Sequence, residues 1–303
     1  MHGIAFKYFL EVAEAGSLTA ASQRLHVAVS AISRQMAHLE EEVGAPLFIR
    51  GPRGMVLSPA GRLLLAHARR VQLESQDVLK EIAALQGERH DEIRLAASSG
   101  PAKGILPMTM AAFHGDHPAT RFTLQVLAPQ DAVRRTAEGE IDVAVTFMVE
   151  EAGGGVTVRY SQRAPVCVVM AAGHPLAGRP RIVLEDLRGY PLALTDPNST
   201  ARHLLGRVGA LDALRMTPVL ESNYSETLLG FVRHSQAITF AGYASVAWRL
   251  GYDGLVVRPI ADIELQSRSL QVLVMQGRQL PQAVERFVER LIARLAELEA
   301  GGA

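Results

Sequence analysis

A chain of 303 residues, with 48% apolar residues and 31 Lys/Arg matched by 31 Asp/Glu, has room for one small and one larger domain, each with its own core. Balanced charge excludes a chain that coats nucleic acid indiscriminately, and the lone Cys167 excludes an internal disulfide framework. No run of about twenty apolar residues exists to span a bilayer, and Met1 to Leu10 lacks the apolar run of an export signal, so a cytoplasmic protein is expected.

Ile4, Phe6, Phe9, Leu10, Val12 and Ala13 predict a first helix over residues 4–15. Leu18, Ala21 and Leu25 then lie on one side of a short second helix, with Ser17 as its N-cap. A new period starts after Val27: Ile32, Met36, Leu39 and Val43 form a buried stripe, and Ser30, Ser33, Arg34 and His38 point the other way. Helix, tight turn and a helix with small polar groups and an arginine outward is a shape that fits a major groove. An ordinary helical hairpin shares the spacing. Residues 1 to 70 hold eight Lys/Arg against five Asp/Glu, a small positive excess on that same segment.

Leu47-Phe48, a turn through Arg50-Gly51-Pro52-Arg53-Gly54 and Met55-Val56-Leu57 predict a two-stranded wing. Its Arg50 and Arg53 are candidate phosphate contacts, or else exposed loop charges. Ser58 and Pro59 open a long helix through Gln86, about 40 Å at roughly 1.5 Å per residue. Leu64, Ala68, Val71, Ser75, Val78, Ile82 and Leu85 alternate four and three apart along it. That seam predicts a linker and a two-chain coiled coil, the alternative being packing against the following domain.

Beyond Gly87 to Asp91 the texture changes to α/β. Strands at Ile93–Ala96, Arg121–Leu127 and Ile141–Thr146 alternate with helices at Gly104–His114 and Asp131–Glu138, predicting a parallel sheet covered on both faces. Strands at Val156–Tyr160 and Pro165–Ala171 follow. A second unit has strands at Tyr190–Thr195, Val219–Leu220, Ala237–Phe240 and Gly254–Ile260, with helices from Thr200 through Val208, at Ser225–Val232 and at Tyr243–Arg249. Pro259 keeps the last of those strands from a central place. A strand at Leu270–Met275 and an amphipathic helix at Pro281–Leu298 end the pattern. Crossings near residues 165 and 269 would give two hinged lobes with a cleft between them.

Ligands of open α/β units settle at the carboxyl ends of strands, beside helix starts. The candidates there are Ser98, Ser99, Gln130, Thr146, Thr195, Asn198, Ser199, Thr200 and Asn223 with Tyr224 and Ser225, uncharged groups suited to a carboxylate or other small anion. Each read alone is equally an N-cap. No GxSxG or HExxH is present, and Cys167 lies among Val166, Val168 and Val169 with no base in view. The histidines do not meet cysteine or acid at metal-ligand spacing; His114 and His117 flank a turn. No catalytic residue, metal or cofactor is expected.

The chain resembles the LysR-type transcriptional regulators over roughly residues 3 to 297. Phe9 to His26 is similar to the family's first two helices, and Ser30 to Gly44 to its recognition helix. Pro46-Leu-Phe-Ile-Arg50 and Leu57-Ser-Pro-Ala-Gly61 resemble its wing and linker start; His174-Pro-Leu176, Glu221 to Phe231 and the strand near Ile238 resemble its effector domain. The resemblance implies a winged helix-turn-helix at 1–58, a linker and dimerisation helix at 59–89, and a two-lobed, periplasmic-binding-protein-like effector domain at 90–303. Lobe I would comprise 90–165 and 270–303, lobe II 166–269. It implies dimers and tetramers on double-stranded promoter DNA, a small-molecule effector in the cleft and contact with RNA polymerase, with no membrane partner. Carried over, Ala28, Val29, Ser30, Ala31, Ser33, Arg34 and His38 face the groove, with Arg50 and Arg53 at the wing. Where many members begin the recognition helix Ser-Gln-Pro-Ala, this chain has Ala28-Val29-Ser30-Ala31, which removes a capping serine and an adenine-reading glutamine and leaves Val29 for a thymine methyl. A second reading is a small-molecule-binding module whose N-terminal helices contact protein; an enzyme working in the cleft is a third.

Overall fold

The computed structural model describes residues 3–51, 54–85, 91–150, 152–197, 199–207, 209, 217–246 and 254–301. They form two compact units, one of Met1–Gly87 with Gly277–Gln279, the other of Glu88–Gln276 with Leu280–Ala303.

In the first unit α1 (Ile4–Ala15) buries Phe6, Phe9 and Val12. It stops at Gly16, whose left-handed backbone (φ 62°) lets its N–H return to the Val12 carbonyl at 2.9 Å. Ser17 is extended and accepts from the Ala20 N–H at 3.5 Å, which starts α2 (Leu18–Leu25). His26 ends α2 in the left-handed region at φ 54°, and Ser22 Oγ donates to the Val27 carbonyl at 2.5 Å to tie the turn. Then α3 (Val29–Val43) turns Ile32, Met36 and Leu39 inward and ends at Gly44. Strands β1 (Phe48–Gly51) and β2 (Gly54–Leu57) pair antiparallel from Phe48 opposite Leu57 to Gly51 opposite Gly54. The Glu40 carboxylate binds this wing to α3, accepting from the N–H groups of Leu47 at 2.7 Å and Phe48 at 3.2 Å.

Ser58 is buried and caps α4 (Pro59–Leu85): its Oγ accepts from the Gly61 N–H at 2.9 Å and donates to the Pro46 carbonyl at 2.6 Å. Of the seam, Ala68 is in the core of this unit and Leu64 packs against it. Further along Val78, Ile82 and Leu85 are 54%, 49% and 88% exposed, so the single chain leaves the distal stripe uncovered.

The second unit begins with β3 (Glu92–Ala97), α5 (Ser99–Lys103), α6 (Ile105–Asp116), β4 (Arg121–Val126), α7 (Pro129–Ala137), β5 (Val143–Met148) and β6 (Val156–Arg163). It continues through β7 (Val166–Ala171), β8 (Leu192–Thr195), α8 (Thr200–Arg207), β9 (Pro218–Ser222), α9 (Ser225–Arg233), β10 (Thr239–Gly242), α10 (Tyr243–Val246), β11 (Leu255–Pro259), β12 (Ser269–Met275) and α11 (Gln282–Gly301). Val208 and residues 247–249, read from sequence as helix, lie outside the described residues.

The first sheet runs β4-β3-β5-β12-β6. Strand β3 is parallel to β4 and β5, but β12 is antiparallel to both its neighbours, so the sheet is mixed rather than parallel as the sequence suggests. The reason lies in the path of the chain. Ser269, the first residue of β12, pairs with Met148 and Arg163 at the ends of β5 and β6; a strand entering where its neighbours finish must run against them. Ile93, Val145, Phe113 and Phe287 form the core beneath, with α11 packed on it.

A second sheet, β10-β7-β11, is antiparallel throughout, and the parallel pair β8-β9 joins its side through a bridge from Leu192 to Ile238. β7 is buried on both faces, and β11 is an edge strand, where Pro259 costs no ladder bond. The chain passes between the sheets at Ala164–Pro165 and again at Arg268. The two crossings are bonded to each other: the Ala164 N–H donates to the Arg268 carbonyl at 2.9 Å, and Arg268 Nε to the Ala164 carbonyl at 2.8 Å.

Candidate functional site

The outward face of α3 follows from its inward one. With Ile32, Met36 and Leu39 in the core, Ala28, Val29, Ser30, Ser33, Arg34 and His38 are exposed, and Ala31 is half-buried. No side chain caps the helix at Ala28. Arg34 has no carboxylate partner among the described residues, whereas Arg24 is held by Glu11 at 3.2 Å. An unmatched guanidinium beside two hydroxyls is a surface that accepts anionic or hydrogen-bonding groups. The Arg50 backbone pairs with Met55 in the wing; Arg53 lies outside the described residues.

In the second unit a cavity of about 480 Å³ opens at the carboxyl ends of β3, β5 and β8. Of the residues singled out from sequence, Ser98, Ser99, Thr195, Ser199, Thr200, Asn223 and Ser225 line it, and Tyr224 does not. Asn198 lies outside the described residues. Thr146 is fully buried behind the wall, where its Oγ1 and Ser98 Oγ are 2.6 Å apart. Gln130 is exposed and does not line the cavity, although its neighbours Ala128 and Pro129 do: Pro129 takes the first turn of α7 inward and the next side chain leaves it. Thr195 Oγ1 is bonded to Ser199 Oγ, which also accepts from the Arg202 N–H at 3.2 Å.

Across the cavity mouth Ser225 Oγ donates to Ser99 Oγ at 3.4 Å, and Lys103 reaches both Ser225 and the Glu226 carboxylate, the latter at 2.8 Å. Two glycines permit the close approach of α5, α10 and β10. A Cβ on Gly100 would stand 2.2 Å from Ser245 Oγ, and one on Gly242 would stand 2.4 Å from Arg268 Nη2.

The expectations from sequence missed Arg268. It lines the cavity while only 3% exposed, with its guanidinium carbon 4.3 Å from the Phe147 ring centroid. Burial lowers its pKa to about 10. The group therefore stays charged at neutral pH, at a cost of about 3 kcal/mol. The one signal was a charged residue at the threshold of an apolar strand, Ser267-Arg268-Ser269-Leu270. The Cys167 thiol is pushed up by burial and so is held protonated. Among the described residues no group of His, Cys, Asp or Glu could hold a metal ion, and no helix is long and apolar enough to cross a membrane. His114 and His117 do not converge: the first contacts the Thr120 carbonyl at 3.3 Å, and the second stacks on Phe113.

Residues 5–62 match the model of the bacterial regulatory helix-turn-helix protein, lysR family, and residues 86–296 that of the LysR substrate binding domain. The chain is 26% identical over 290 residues to a probable RuBisCO transcriptional regulator of Synechocystis sp. (strain ATCC 27184 / PCC 6803 / Kazusa), covering 94% of this chain and 84% of that protein. It is 28% identical to the SDS degradation transcriptional activation protein of Pseudomonas sp. (strain ATCC 19151), covering 92% of each. Among solved structures it is similar in fold to a full-length OxyR variant from Pseudomonas aeruginosa (TM-score 0.61, 20% identity, 97% of this chain and 95% of that one). It is likewise similar to full-length CbnR in complex with its target DNA (TM-score 0.53, 22% identity, 97% and 100%).

Proposed function

The chain belongs to the LysR family and is a DNA-binding transcriptional regulator with an effector-binding domain, and from that premise we propose that a small anionic effector in the cavity controls how paired α3 helices engage a promoter. The observation that carries this reading is the face of α3. Ser30, Ser33, Arg34 and His38 are exposed together opposite the Ile32, Met36 and Leu39 stripe, and Arg34 is matched by no carboxylate among the described residues. In this reading Arg34 contacts a base edge or a flanking phosphate, Ser30 and Ser33 assist, and Ala28, Val29, Ala31 and His38 complete the groove-facing surface. Arg50 and Arg53 hold the backbone from the wing.

The division is 1–58 for DNA, 59–89 for dimerisation, and 90–303 for the effector, with lobes as set out above. The exposed Val78, Ile82 and Leu85 stripe supports pairing through α4, which would set two recognition helices one helical turn apart on an inverted repeat. Ser98, Ser99, Thr195, Asn198, Ser199, Thr200 and Asn223 receive the effector, with Thr146 behind Ser98. Occupancy alters the arrangement of the dimers, their association into tetramers, and contact with RNA polymerase.

The test is duplex binding by Arg34→Ala against Arg286→Ala, an exposed arginine of α11. Loss of one base or phosphate contact weakens binding by about 1–3 kcal/mol, and only Arg34→Ala should show it. Equal, negligible losses remove the role assigned to α3.

A further inference from the structure

We infer that Arg268 is the charge-reading residue of the cavity, and that the effector is a monoanion, a single carboxylate on an uncharged body. This rests on the reading of the cavity as an effector site and adds the chemical class. Arg268 is only 3% exposed, yet no carboxylate faces it among the described residues. Its Nε is spent on the Ala164 carbonyl at 2.8 Å and its Nη2 on the Pro165 carbonyl at 3.5 Å, while Nη1 has no partner among them. A buried cation answered only by carbonyl dipoles and one ring face is left uncompensated, and a cavity against it is where the compensating charge fits. Phe147 beneath and Gly242 beside it fix the guanidinium plane, so the charge is held in place before any ligand arrives.

The remaining lining sets the rest of the molecule. Arg268 is the sole cation among the described lining residues, and Asp196, at the end of β8, is the sole carboxylate. Lys103, near Ser99 and Ser225, is already matched by Glu226 at 2.8 Å. A second negative group would therefore meet no second cation among the described lining residues. Between the charged ends the wall is mixed: Val126, Leu127 and Phe240 give apolar contact and Ser98, Ser99, Thr195 and Asn223 give hydrogen-bonding groups, so the body of the ligand carries both apolar surface and uncharged polar groups.

The experiment measures binding of three probes of similar shape to the full chain by titration calorimetry: benzoate, benzamide and terephthalate. The expected result is benzoate bound at least about tenfold more tightly than either of the others, the scale of one charge-assisted bond. R268Q should bring the benzoate-to-benzamide ratio near one while benzamide affinity holds, and R268K should keep the preference. A purely structural role for Arg268 would instead lower both affinities together. Should R268Q fail to fold, the wild-type ratio and its persistence in R268K decide the matter. A wild-type ratio near one, or terephthalate binding as tightly as benzoate, overturns the assignment. If benzoate and benzamide bind equally and both are lost in Val126→Trp, the effector site stands and only the charge assignment falls. If no probe binds, both readings fall.

Discussion

Gly61 faces the Leu47 carbonyl so closely that a Cβ on it would stand 2.0 Å from the oxygen. The first turn of α4 and the entry to the wing are thus packed backbone to backbone. The Ser58 cap and the Ser58 N–H to Leu47 carbonyl bond, at 2.9 Å, lie on either side of the contact. Gly61→Ala must move one of two backbones, and we expect a loss of about 3 kcal/mol. Hydrogen exchange at the Phe48 and Ser58 amides would read it. Unchanged protection would show that the junction yields freely.

The uncovered end of α4 makes a second prediction. Replacing both Val78 and Ile82 with lysine puts two charges on the stripe proposed to pair. Sedimentation of the double variant should show the dimer giving way to monomer at concentrations where the parent is associated. Identical sedimentation of the two would exclude the stripe from the interface.

Thr146 supports the cavity from behind, through its contact with Ser98 Oγ. Thr146→Val keeps the shape and removes one hydroxyl, leaving Ser98 Oγ the Phe147 N–H at 3.4 Å. The expected loss is about 1 kcal/mol in urea unfolding. Probe affinity should change as well, since the Ser98 hydroxyl can then turn to the ligand. Unaltered probe affinity would place Ser98 outside the effector contacts.

Burial holds the His174 imidazole below its ordinary value of 6.5, and its Nδ1 accepts from the Leu176 N–H at 3.1 Å. The folded chain therefore prefers the neutral ring, and the unfolded chain takes up the proton first as the pH falls. The contribution of this residue is present above pH 6.5 and is lost as the pH drops through that value toward the folded one. Asn at this position retains an acceptor but cannot titrate. His174→Asn should flatten the fall in stability between about pH 7.5 and 5.5, measured as urea midpoints. Parallel curves for the two proteins would assign the pH dependence elsewhere.

The helices of the first unit and their ends were legible from short stretches. Ser17 and Ser58 cap because a hydroxyl just ahead of a helix reaches an N–H within three residues, and Ile32, Met36 and Leu39 face inward because of their spacing. The strands of the second unit were legible as apolar runs, but the direction of β12 was not: it depends on which end of the sheet the returning chain reaches. Gln130 shows the same limit at a single residue. A polar group after a strand end looks alike whether it enters the cavity or, as here, leaves it.

What the amino-acid order determined alone is everything set by neighbours a few positions away: the helix-turn-helix, its exposed face, the capped start of α4 and the alternation of strand and helix. What only the tertiary structure decided is the cavity and its charge. Arg268 acquires a meaning when it is bonded to Ala164, 104 positions earlier, and laid on Phe147. Periodicity and capping act within a turn or two of chain, whereas the burial of a charge is a property of the space that distant segments enclose.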